Sequence, residues 1–183
     1  MDASTQQYGR FALTLHWVVA ACIVFALAFG LSIEEEDAQS LALTLHKSFG
    51  ITIFVLAVVR LIWRIGHRPP PLPAHMSRLQ RAAATVTHVL LYMVIFALPV
   101  TGYIAVAARG RETTYFGAFD VPNVAPLSRA LSHQAMELHE IGQWLLYVLL
   151  VAHIGATAYH QIILKDGLLY RMWPRRRPSA DAA

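Results

Sequence analysis

The chain has 183 residues, of which 56% are hydrophobic and only 14% are charged. In soluble domains about a quarter of all residues are charged. The composition of this chain therefore excludes an ordinary soluble protein and indicates one integral membrane domain over residues 1–183. The single cysteine, Cys22, excludes an internal disulfide, a c-type haem attachment motif and a cysteine-ligated iron–sulfur cluster. The formal net charge of +4 does not indicate a nucleic-acid partner, because the basic residues follow membrane topology.

Four long apolar segments follow one another along the chain, at residues 11–33, 41–65, 84–108 and 140–164. Each is long enough to cross about 30 Å of hydrocarbon as a helix, in contact with membrane lipid. The segments predict an all-α fold, a four-helix transmembrane bundle. We expect the first segment to be retained as a span, because it lacks a basic stretch followed by a small-residue cleavage motif.

The connections between these segments differ in charge. "EEEDAQS" (34–40) is short and acidic, "RIGHRPPPLPAHMSRLQR" (64–81) is basic and rich in proline, and residues 109–139 form the longest connection. Of the 15 Lys and Arg residues, 11 lie with the termini and the second connection. The four on the opposite side are Lys47, Arg109, Arg111 and Arg129. The positive-inside rule therefore predicts that both termini face the cytoplasm.

Three histidines fall on one face of the fourth segment. His139, His153 and His160 are separated by 14 and then 7 residues. At about 100° per residue, each step returns to within roughly 40° of the same direction. His139 and His153 lie about 21 Å apart along the helix axis, at about 1.5 Å per residue. One mononuclear metal site cannot use both of them, but two sites in the two halves of a bilayer can.

The predicted topology sorts the histidines by depth. A lone intramembrane histidine can be a hydrogen-bonding contact between helices, but five histidines in two layers favour metal ligation. The outer layer contains His46 and His139, and the inner layer contains His16, His88 and His153. The histidines that we expect to be ordinary solvated side chains in connections are His67, His75 and His133.

Haem iron is the metal that best suits these layers. Two imidazoles saturate its axial positions, and such an iron transfers electrons instead of binding oxygen. Zinc is less suited, because a tetrahedral site takes four ligands and neither layer has a nearby cysteine or enough carboxylates. Depth alone does not choose between His16 and His88 as an inner ligand.

Several segments resemble the bacterial cytochrome b561 family over nearly the whole chain, in order and with matching spacing. They are "LTLHWVVA" around His16, "LTLHKSFGITIFVLAVVRLIWR" around His46, "HVLLYMVIFALPVTGY" around His88, the pair His139 and His153, and "LKDGLLYRMWPRRR". The resemblance implies a four-helix bundle in the bacterial inner membrane that holds two haem b. It implies that His16 and His153 ligate the cytoplasmic-side iron and that His46 and His139 ligate the outer one. His88 is then expected to contact a haem propionate or the surroundings of a ligand.

The resemblance also implies a quinone partner, with ubiquinone as the electron acceptor. On the predicted helix, His160 lies about 10 Å beyond His153 toward the cytoplasm, where it can supply protons for quinone reduction. Tyr159, Lys165 and Trp173 are candidates for binding the quinone ring or its carbonyls. The alternative for His160 and Lys165 is that they are interfacial side chains that reach toward the lipid headgroups.

The resemblance is to the small stand-alone members of the family, among them superoxide:ubiquinone oxidoreductases, which makes superoxide the expected outer donor. Lys47, directly after the predicted ligand His46, is the candidate residue for attracting this anion. Eight acidic residues on the outer side, four of them in the stretch 34–37, oppose such steering.

Two other functions stay open. The chain is alternatively a haem-b membrane anchor that carries electrons between the quinone pool and a partner dehydrogenase or cytochrome, with residues 109–139 as the docking surface. A four-helix transporter with a histidine proton relay is the non-redox alternative, and the two-layer arrangement of the histidines argues against it.

Overall fold

The computed structural model describes residues 7–33, 40–67, 69–72 and 76–173. Its first three helices are α1 (Arg10–Leu31), α2 (Leu41–Gly66) and α3 (Arg78–Ala107). An antiparallel hairpin follows, in which β1 (Thr113–Tyr115) pairs with β2 (Phe119–Val121). The last long helix is α4 (Arg129–Tyr159), which continues into a π-helical turn (His160–Leu164) and a 3₁₀ turn (Leu168–Arg171).

Serine side chains determine where three of the helices begin. Ser40 and Ser128 each accept a hydrogen bond from the backbone N–H three residues later. Ser77 does the same and forms a reciprocal capping box with Gln80. Such caps satisfy backbone N–H groups that have no partner within the helix. The helices therefore extend beyond the predicted apolar segments, by 6 residues at the start of α3 and by 11 at the start of α4.

The start of α4 at Arg129 changes two predictions about the long outer connection. His133 lies on α4, where it pairs with Glu137 one turn later, so its predicted place in a connection is wrong. The connection itself is shorter than predicted and contains the β-hairpin. His67 lies at the end of α2, outside the core, as predicted. His75 and the acidic stretch 34–37 lie outside the described residues.

The four long helices form the predicted bundle. All four are long and apolar enough to cross a membrane, and many large apolar side chains point outward. Apolar side chains on the outer surface are expected where lipid is the solvent. Backbone packing is closest between α1 and α2, α2 and α3, and α3 and α4. The central core consists of small and aliphatic side chains: Cys22, Ala26, Ile53, Ala57, Val94, Ile95, Leu146 and Leu149.

The two ends of the bundle are closed by different segments. At the hairpin end, which carries the β-hairpin, Phe116 donates its N–H to the buried Ser48 Oγ at 2.8 Å. The Tyr115 hydroxyl lies 3.0 Å from Thr52 Oγ1. At the terminal end, where residues 7–9 meet residues 165–173, Tyr8 donates its N–H to the Arg171 carbonyl at 3.2 Å. Trp17 Nε1 donates to the Met172 carbonyl at 2.7 Å.

Candidate functional site

The hairpin end brings together the two histidines of the predicted outer layer. His46 on α2 and His139 on α4 face each other with ring centroids 6.0 Å apart and ring planes at 80°. His46 Nδ1 lies 2.8 Å from the Ala26 carbonyl of α1, and His139 Nδ1 lies 2.9 Å from the Leu98 carbonyl of α3. A carbonyl only accepts, so both Nδ1 atoms carry the hydrogen and both Nε2 atoms keep a lone pair for a metal.

Glycines give these two rings access to the neighbouring helices. A Cβ on Gly30 would lie 2.9 Å from His46 Nδ1, and one on Gly102 would lie 2.9 Å from His139 Cε1. Each glycine stands four residues after the residue whose carbonyl accepts from the imidazole. On an α-helix a side chain at this spacing lies on the same face, one turn further along. The same glycine-and-carbonyl arrangement thus allows His46 to pack against α1 and His139 to pack against α3.

The terminal end gathers the three histidines of the predicted inner layer. The ring centroid of His153 lies 6.3 Å from that of His16 and 5.3 Å from that of His88. His88 Nδ1 donates to the Ala84 carbonyl of its own helix at 2.6 Å. His16 Nδ1 is buried and has no hydrogen-bond partner among the described residues. This end therefore lacks the glycine-and-carbonyl arrangement of the hairpin end.

The spacing of the imidazoles fits a haem iron between each opposed pair. Two imidazoles that bind one metal from opposite sides, with metal–nitrogen bonds of about 2 Å, place their ring centroids about 6 Å apart. The His46–His139 and His16–His153 separations agree with this value. In the described part of the chain, no three His, Cys, Asp or Glu side chains stand close enough to hold a metal ion by themselves. The pairs therefore suit a metal whose other ligands come from a cofactor, as the porphyrin nitrogens do in haem.

His160 lies at the terminal end, buried with an exposed fraction of 5%. Its Nδ1 lies 2.5 Å from Asp166 Oδ2, while Asp166 Oδ1 accepts the Leu168 N–H at 3.0 Å. The α-helix ends at Tyr159 and widens into the π-helical turn, so the regular periodicity used in the prediction stops at His160. Asp166, which lies in the "LKDG" segment, was not among the predicted site residues.

The other residues predicted for quinone binding have different surroundings at the terminal end. The Tyr159 ring stands edge-on to His160 with centroids 6.0 Å apart, and its side chain is half exposed. Trp173 packs edge-on against Trp17, with centroids 5.7 Å apart. Lys165 is exposed and adopts a left-handed backbone conformation that ends the π-helical turn.

Lys47 is half-buried beside the hairpin. Its ammonium group donates to the Glu112 carbonyl at 3.1 Å, and Arg111 is close enough to act on it electrostatically. Arg111 also lines an open cleft of about 670 Å³ together with Arg109, Arg129 and His133. The four predicted outer bases therefore converge on the hairpin end, and Arg111 connects Lys47 to the cleft.

The chain is similar to known proteins over almost its whole length, and these proteins have related names. The profile of the family described as prokaryotic cytochrome b561 matches residues 7–175. The chain is 35% identical over 172 residues to cytochrome b561 homolog 2 of Escherichia coli (strain K12), with 91% of each chain covered. It is 29% identical over 175 residues to cytochrome b561 homolog 1 of the same strain, covering 93% of this chain and 99% of the relative. Identity to the "Probable superoxide oxidase CybB" of Yersinia pestis is 27% over 177 residues, covering 94% of this chain and 98% of the relative.

Proposed function

The chain belongs to the prokaryotic cytochrome b561 family of electron-transferring membrane haem proteins, and from this premise we propose that it transfers electrons from superoxide to ubiquinone. The observation that carries the proposal is the opposed imidazole pair at each end of the bundle, with centroids 6.0 and 6.3 Å apart. In the proposed orientation the hairpin end faces the periplasm and both termini face the cytoplasm of a bacterial inner membrane, in line with the distribution of basic residues.

The two opposed pairs are the proposed ligands of two haem b groups. His46 and His139 hold one, and His16 and His153 hold the other. Haem iron held by these pairs would supply one-electron transfer, and two imidazole ligands would leave it no coordination position for oxygen. The carbonyls of Ala26 and Leu98 support this assignment, because they fix the ring orientation of the hairpin-end pair through Nδ1.

His88 is proposed to contact the terminal-end haem site without ligating the iron. Its ring stands nearer to His153 than the spacing for two ligands on opposite sides of one iron requires. Its Nδ1 is bound to the carbonyl of Ala84 on its own helix. The His16–His153 pair has the fitting separation, in agreement with the pairing that the family resemblance implies.

Lys47 is proposed to attract superoxide to the hairpin end. It follows the ligand His46 directly in the sequence, and the hydrogen bond to the Glu112 carbonyl holds its ammonium group at the base of the hairpin. A carbonyl partner leaves the positive charge uncompensated, whereas a carboxylate would neutralise it. Together with Arg111 this charge gives an anion a local attraction. The name of the Yersinia pestis relative, a probable superoxide oxidase, supports the same donor.

The terminal end is proposed to be where ubiquinone takes up electrons and protons. A quinone that accepts two electrons also accepts two protons, so a proton-carrying group must lie within reach of it. His160 is the proposed group, and its contact with Asp166 keeps the imidazole oriented with Nδ1 toward the carboxylate. The half-exposed Tyr159 and Trp173 side chains provide an aromatic surface on the same end for the quinone ring.

The electron-carrier alternative is favoured by one feature, an apolar surface on the segment between α3 and α4. Phe116, Phe119, Val124 and Leu127 all expose more than two fifths of their surface there. An exposed apolar patch of this kind marks a contact with a partner protein or with lipid. A haem-b anchor subunit that serves a periplasmic dehydrogenase or cytochrome would use this surface for docking.

Superoxide-driven quinone reduction by the purified protein, without partners, tests the proposal. Xanthine and xanthine oxidase supply superoxide, a short-chain ubiquinone is the acceptor, and superoxide dismutase is added in the control. We expect quinone reduction that dismutase abolishes and that the His16→Ala variant lacks. A protein with an intact reduced-minus-oxidised haem spectrum but no dismutase-sensitive reduction would contradict the superoxide assignment and favour the anchor subunit.

A further inference from the structure

Arg60 places a permanent positive charge inside the membrane-spanning part of α2. It lies six residues before the helix end at Gly66, which is about 9 Å along the axis. Its side chain is half-buried. An arginine at such a depth is energetically unfavourable unless an opposite charge or a water-filled space compensates it.

The protein surrounds Arg60 with groups that do not neutralise it. The guanidinium carbon lies 5.6 Å from the centroid of the Tyr92 ring, and that of Arg64 lies 6.0 Å from the same ring. Arg60 interacts electrostatically with Tyr8 before α1 and with the histidines of the terminal end, namely His16 on α1, His88 on α3 and His153 on α4. No carboxylate among the described residues pairs with Arg60.

Tyr92 holds the guanidinium group without balancing its charge. A cation over an aromatic face is attracted by the ring quadrupole, but the net charge of the site stays positive. Arg64 adds a second positive charge above the same ring. The arrangement therefore forms a positioned, uncompensated cation within electrostatic range of all three inner histidines.

We propose that Arg60, positioned by Tyr92, binds a propionate carboxylate of the haem held by His16 and His153. This inference rests on the proposed function, because it takes that haem site as given. The porphyrin of haem b carries two propionates, and arginine binds a carboxylate through two parallel N–H bonds. The bond would supply Arg60 with its missing counter-charge and would fix the rotation of the haem about its axial ligands.

Isotope-edited infrared spectroscopy of the purified holoprotein tests this pairing. Cells are grown on 5-aminolevulinate labelled with ¹³C at its carboxyl carbon, which labels the haem propionates. Redox difference spectra are recorded for the wild type, Arg60→Gln, Arg60→Lys and Arg78→Gln. Arg78, an exposed residue at the start of α3, is the matched control, since its loss removes one positive charge from the same end of the bundle.

We expect the labelled carboxylate band to shift in Arg60→Gln, to shift less in Arg60→Lys, and to stay in place in Arg78→Gln. The midpoint potential of one haem should fall in Arg60→Gln by more than in Arg78→Gln, because a nearby positive charge favours the reduced iron. If Arg60→Gln loses the haem, the labelled carboxylate band of Arg60→Lys becomes the test of the pairing. Lysine keeps the positive charge but offers no bidentate contact.

An unshifted labelled band in a haem-containing Arg60 variant would overturn the inference. A shift confined to the unlabelled phosphate bands would also overturn it, by identifying a lipid phosphate as the counter-charge. Both results leave two haems in the wild type and hence the proposed function intact. A wild-type protein without a terminal-end haem would instead refute the proposed function itself.

Discussion

Replacing Gly30 by alanine should weaken haem binding at the hairpin end, although alanine is the better helix former. The added Cβ would stand 2.9 Å from His46 Nδ1, whereas ordinary contact begins at 3.4 Å. The ring cannot retreat without losing its 2.8 Å hydrogen bond to the Ala26 carbonyl. Overpacking costs roughly 1–3 kcal/mol and the lost hydrogen bond roughly 0.5–1.5 kcal/mol. A combined loss of about 1.5–4.5 kcal/mol weakens haem affinity roughly 10-fold to 2,000-fold.

Haem transfer to excess apomyoglobin measures this effect, together with the haem content per polypeptide. Gly155→Ala is the matched control, because Gly155 is an exposed residue of α4 and has nothing within 4 Å of an added Cβ. It should gain roughly 0.5–1 kcal/mol of helix stability and keep both haems. Gly102→Ala should behave like Gly30→Ala, through His139. Equal haem transfer rates from Gly30→Ala and Gly155→Ala would refute this explanation.

Three further predictions address the proposed sites. The variants His46→Ala and His139→Ala should each lose one haem, and the variants His16→Ala and His153→Ala should each lose the other haem. His88→Ala should keep both haems. Haem loss in the His88 variant, measured by absorption spectra, would contradict the ligand assignment. Lys47→Glu should slow haem reduction by superoxide far more than reduction by an uncharged donor, and the wild-type rate should fall with ionic strength, since the Debye length is about 8 Å at physiological salt. The matched control is Lys165→Glu at the other end, and equal rates in both variants would contradict a role for Lys47. His160→Gln and Asp166→Asn should each slow quinone reduction while haem reduction by superoxide stays unchanged, as followed by stopped-flow absorption; an unaffected quinone rate would remove His160 from the site.

The four helices and the family could be predicted from sequence, and both predictions are confirmed. Apolar runs of more than 20 residues have few alternatives to a membrane span. The spacing of His139 and His153 also predicted that they lie at different depths, because distance along the sequence of a long regular helix corresponds directly to distance along its axis. The pairing of imidazoles across helices followed from depth and from the family resemblance together.

Other features depend on contacts that a linear pattern does not contain. The first turns of α4 after Ser128 are polar and lack an apolar run, so the predicted span begins 11 residues too late. The strands of the β-hairpin have three residues each, and the hairpin is held by Ser48 and Thr52 of a distant helix. The roles of Gly30 and Gly102 depend on which helix stands opposite each histidine, and the sequence alone does not determine that arrangement.

Haem stoichiometry is the most direct test of the proposed function, because that function requires one bis-histidine haem at each end of the bundle. Pyridine haemochrome analysis of the purified protein, normalised to polypeptide by amino-acid analysis, gives this number. We expect two haem b per chain. A value of one haem or none per chain in a fully folded preparation would contradict it.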